Sequence, residues 1–82
     1  MQLKRGRWVV TAEGQCGIVT AIPGDGTVGV DLVDSQGETI YTAVYAWEDL
    51  RQAAWADIPA PRRETADRDR LRAAGYAGVP ED

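Results

Sequence analysis

The sequence predicts an all-β fold: a small antiparallel barrel of about five strands carrying a partly helical C-terminal extension. Three observations lead there. Apolar side chains alternate with a period of two over most of the first 50 residues. Turn-forming clusters interrupt that alternation every 8–12 residues or so, the rhythm of a small sandwich or barrel. Val, Ile and Leu then thin out, with only Leu71 and Val79 after Pro61.

Each strand has its own signature. Arg7–Ala12 reads as the first and ends at Glu13-Gly14. Gln15–Ile22 is the second, closed by Pro23-Gly24-Asp25-Gly26, whose glycines suit a tight reversal. Thr27–Asp34 is the third, followed by a hairpin loop at Ser35-Gln36-Gly37. Glu38–Ala46 is the fourth, with Ile40, Thr42 and Val44 expected inward and Tyr41 and Tyr45 outward. Trp47–Leu50 looks like one helical turn and Arg51–Ala54 like a short closing strand. The expected core is Val10, Ile18, Val28, Val30, Leu32, Ile40, Val44 and Leu50, completed at one end by Trp8 or Val9.

Two prolines in Ile58-Pro59-Ala60-Pro61 mark the boundary between a body, residues 1–58, and the extension, residues 59–82. The first part of the extension reads as a stiff Pro-Arg linker. Beyond it, Thr65–Ala74 forms a short helix or stays disordered, with Thr65 as N-cap and Gly75 just past the end. Asp67 with Arg70 and Asp69 with Arg72 offer weak support at i,i+3. Leu71 and Tyr76 are its bulky apolar residues, and docking them on Tyr41 and Tyr45 would cover both faces at once.

Composition narrows the chemistry. The 82 residues suit one domain, and the formal charge of −4 supplies no basic field. There is no histidine, one cysteine (Cys16) and one serine (Ser35), which excludes histidine-based metal sites, internal disulfides and Ser–His or Cys–His nucleophiles. Asp31, Asp34 and Glu38 surround a turn at a spacing unlike an EF-hand, so ordinary turn chemistry explains them. Neither a catalytic site, a cofactor nor a metal site is expected. No apolar run approaches the roughly 18–20 residues a membrane helix needs. With no export signal and a lone thiol, the expectation is a cytoplasmic protein, and the Arg- and Ala-rich composition suggests a bacterial source. At this size self-association would be a low-cost route to more buried surface.

The segments Leu3-Lys4-Arg5-Gly6-Arg7-Trp8-Val9-Val10, Gly14-Gln15-Cys16-Gly17-Ile18-Val19-Thr20-Ala21-Ile22 and Val28-Gly29-Val30-Asp31-Leu32 together resemble the start of a KOW-type, SH3-like barrel. The resemblance covers roughly residues 3–34 and is compatible with the closing segment Val44–Arg51. It implies an RNA- or protein-binding domain whose contacts lie around the first two strands, here Lys4, Arg5, Arg7 and Gln15. The residues themselves point first to a protein partner, docked on Tyr41, Tyr45 and Trp47 with Trp55 and the Pro-Arg segment contributing; small barrels with charged tails also recur in phage genes. Gly17 is expected where a facing strand comes too close for a Cβ.

Overall fold

The structure is a computed structural model and describes residues 4–81. Five strands, β1 (Trp8–Val10), β2 (Cys16–Ala21), β3 (Thr27–Val33), β4 (Thr39–Ala46) and β5 (Arg51–Gln52), form one antiparallel sheet in the order β4-β3-β2-β1-β5. The first four follow one another as a meander, and β5 returns to pair with β1. Among the described residues no ladder joins β4 to β5, so the sheet is open where a closed barrel was expected.

Local chemistry sets the turns. After β1 the chain reverses through Thr11–Gln15: the Thr11 N–H donates to the Gln15 carbonyl at 2.8 Å, and the Thr11 hydroxyl oxygen accepts from the Gln15 N–H at 3.2 Å. Asp25 accepts from the Thr27 N–H at 3.0 Å, and hydrogen bonds from Thr27 hold its carboxyl below the usual range. In the β3–β4 hairpin Asp34 accepts from the N–H groups of Gln36 and Glu38 at 2.9 and 3.1 Å. Gly17 on β2 lies against β3 so closely that a Cβ would stand 2.5 Å from Val30 Cγ1 and 2.7 Å from the Asp31 carbonyl oxygen. The close approach expected of Gly17 is present.

Two apolar clusters flank β1. Val9, Val19, Val28, Val30, Leu32 and Leu50 form the first, with Ala43 and Tyr45 packed against it. Val10, Ala53 and Ile58 form the second, lined by Trp8 and Leu71. Adjacent β1 residues point to opposite faces, so Val9 and Val10 serve different cores. Val19 was absent from the expected core, whereas Ile18 is only half-buried and joins neither cluster.

The inward face of β4 is the reverse of the expectation. Leu32 pairs with Tyr41, Val30 with Ala43 and Val28 with Tyr45. Directly opposed residues share a face, so Tyr41, Ala43 and Tyr45 lie on the side of the first core and Thr42 and Val44 on the other. Ile40, at the register shift, is 56% exposed and Val44 71%. Alternation fixes two faces but not which is buried, and a one-residue slip exchanges them.

Residues 47–49 and 55–57 form single 3-10 turns, and α1 (Ala60–Glu64) and α2 (Arg68–Ala73) complete the chain. The segment read as a linker thus opens a helix; proline is tolerated in a first helical turn because its missing N–H has no partner there. The α2 N-cap is Asp67, not Thr65: its carboxylate accepts from the Arg70 N–H at 3.2 Å. At the other end Gly75 takes φ +87°, and the Gly75 and Tyr76 N–H groups donate to the Arg72 and Leu71 carbonyls, a Schellman termination. No described helix is long and apolar enough to cross a membrane.

Candidate functional site

The extension does not cover Tyr41 and Tyr45. It packs on the Trp8–Val10 side of β1, where Leu71 joins the second cluster and Tyr76 is buried. The Arg62 guanidinium stacks over the Trp8 ring at 5.6 Å while its Nε donates to the Gly37 carbonyl at 3.1 Å, tying α1 to both β1 and the β3–β4 hairpin. Trp55 belongs to this assembly. Its backbone N–H donates to the Ala77 carbonyl at 2.8 Å, and Arg63 and Arg68 lie over its ring at 6.0 and 5.6 Å. Of the four aromatic residues expected at a docking surface, Trp55 is therefore engaged by the extension.

The other three follow β4 and its continuation. Tyr41 and Trp47 are each 48% exposed, and Tyr45 is half-buried against the first core. Partial burial raises the Tyr45 phenol above its ordinary value, with the nearby Tyr41 and Glu13 adding to the effect. The Trp47 backbone N–H donates to the Gly26 carbonyl at 3.1 Å, which anchors the residue beside the β2–β3 loop. Val44 adds exposed apolar area on the opposite face of β4, and Ile40 adds more at the register shift.

The stretch of chain that carries these residues is acidic. Residues 8–50 contain seven carboxylates, Glu13, Asp25, Asp31, Asp34, Glu38, Glu48 and Asp49, and no lysine or arginine. Every cation lies at 4–7 or from Arg51 onward. That separation is visible in the sequence.

The basic residues of the alternative site gather elsewhere. Lys4, Arg5, Arg7 and Arg70 line a groove of about 510 Å³ with Leu71 and Tyr76, and among the described residues no carboxylate lines it. Arg7 Nη1 donates to the Ala74 carbonyl at 2.8 Å, and its guanidinium lies over the Tyr76 ring at 5.7 Å, so Arg7 is fixed in place by the extension. Arg70 joins this group through the fold alone. Gln15 is exposed in the turn after β1 and is not part of the groove.

Other chemistry has little support. Burial is the main cause that pushes the Cys16 thiol up to about 11, so it is protonated at neutral pH. The Asp31 carboxylate accepts from the Thr42 hydroxyl at 2.5 Å, and Asp34 is occupied in its turn. Among the described residues no group of three or more Cys, Asp or Glu side chains is placed to hold a metal ion. No family model, curated protein or solved structure matches this chain.

Proposed function

We propose that this chain is a non-catalytic binding module, an SH3-like small barrel in form, which docks a protein partner through Tyr41, Tyr45 and Trp47 as an accessory or assembly subunit. The SH3-like form is supported by the meander of four short strands with β5 returning to β1 and by the single turn between β4 and β5. The observation that carries the docking reading is the exposure of Tyr41 and Trp47, within a stretch that holds seven carboxylates and no cation. An acidic aromatic surface repels a phosphate backbone, which favours a protein over a nucleic acid at this site. Affinity capture from the source cells tests it. A specific protein recovered by the native chain should be lost with Tyr41→Ala plus Trp47→Ala and kept with Lys4→Ala plus Arg5→Ala. Tyr45 is left intact because it also supports the core. Recovery unaffected by the aromatic pair contradicts the reading.

A second reading has its own observation: the groove of Lys4, Arg5, Arg7 and Arg70, lined by no carboxylate among the described residues, is suited to a phosphate backbone. If the chain binds RNA there, a gel shift at low salt weakens steeply with added salt and disappears with Arg5→Ala plus Arg70→Ala. No shift at low salt removes this alternative.

A further inference from the structure

β4 ends the sheet, and among the described residues it has a ladder on its β3 side only. The free side of such a strand carries unpaired N–H and C=O groups, a template for another strand. Edge strands are ordinarily protected by lysine, proline or shortness. β4 has none of these: its eight residues, Thr-Ile-Tyr-Thr-Ala-Val-Tyr-Ala, include no charge, proline or glycine. A register shift lies at its Thr39 end, and pairing with β3 is regular from Tyr41 to Ala46.

The surrounding charges select the occupant. Glu38 precedes the strand, Glu48 and Asp49 follow it, and Asp31 stands one strand inward beside Thr42. A second copy pairing antiparallel about Ala43 would bring Glu38 of each chain toward Glu48 of the other, and opposed like charges are destabilising. A guest strand bearing Lys or Arg meets attraction at the same places.

We propose that β4 takes up an extended cationic segment of a partner protein as an added strand, its apolar side chains lying beside Tyr41 on one face and its Lys or Arg side chains on the Thr42 and Val44 face, reaching Asp31 and, at the strand ends, Glu38 and Glu48. This rests on the protein-docking reading and adds to it the mode of attachment and the charge of the partner. Main-chain hydrogen bonds to β4 supply affinity, and alternate side chains supply selectivity.

Fluorescence anisotropy on the full chain tests it with three labelled probes: a peptide of alternating Lys and Val, the same peptide with Glu for Lys, and the Lys peptide N-methylated at alternate amides. The Lys peptide should bind at least roughly tenfold tighter than the Glu peptide, and N-methylation should weaken it by a similar factor. Val44→Lys in the protein should also weaken binding about tenfold or more, with an unchanged melting temperature because the site is exposed. Three results overturn the proposal: no binding of the Lys peptide, equal binding of the N-methylated probe, or sedimentation showing a dimer that Val44→Lys dissociates. A cellular partner lost with Tyr41→Ala plus Trp47→Ala but indifferent to Val44→Lys and Glu38→Lys would sink strand addition and leave the docking reading standing.

Discussion

The Tyr76 hydroxyl accepts a 2.8 Å hydrogen bond from the backbone N–H of Trp8, across 68 positions of sequence. That bond joins the end of the extension to the first strand. Tyr76→Phe keeps the ring over the Arg7 guanidinium but leaves the Trp8 N–H without its acceptor. The expected loss is about 1–2 kcal/mol, seen as a melting temperature lower by roughly 4–8 °C per kcal/mol for a domain of this size. An unchanged melting temperature contradicts a structural role for the extension.

Gly17→Ala should be more disruptive than its size suggests. The added methyl meets the Asp31 carbonyl oxygen, which belongs to the backbone and cannot rotate aside. Overpacking of this kind costs roughly 1–3 kcal/mol, read from the urea midpoint. Gly14→Ala tests a different cause, because no described residue lies within 4 Å of its added Cβ and its φ of +86° is what resists substitution.

Ala43 and Val44 separate the two faces of β4. Ala43→Asp places a carboxylate against the first core and should cost at least about 2 kcal/mol. Val44→Asp, on the exposed side, should stay within about 0.5–1 kcal/mol of the native chain. Equal losses at the two positions contradict the face assignment.

Cys16 gives a pH test. In the folded chain alkylation by iodoacetamide should rise with a midpoint near pH 11, against an ordinary thiol at 9.0. Folding thus favours the protonated thiol. The stability this contributes is present below the unfolded value and falls away as pH climbs from about 9 towards 11. A native midpoint at the ordinary value contradicts burial of the thiol.

Much of the scaffold was legible because short-range chemistry wrote it. The strand boundaries follow the turn clusters, Gly17 announced its close approach, and Gly75 followed by Tyr76 marked the end of α2. What the sequence concealed depended on register and on distant contacts. Tyr41 and Tyr45 lie on the core side because of their pairing with Leu32 and Val28, which local alternation does not specify. Arg70 joined Lys4, Arg5 and Arg7, and Trp55 met Arg63 and Arg68, only when the extension folded back on β1. The acidic run from Glu13 to Asp49 needed no structure, but its importance emerged once β4 proved to be a free edge.

Nuclear magnetic resonance mapping of the full chain, titrated with the alternating Lys–Val peptide, bears most directly on where this protein binds. Amide shift changes and exchange protection should concentrate from Thr39 to Trp47, with Lys4, Arg5, Arg7 and Arg70 unmoved. Changes centred on those four basic residues, or an undisturbed β4, would contradict binding at β4.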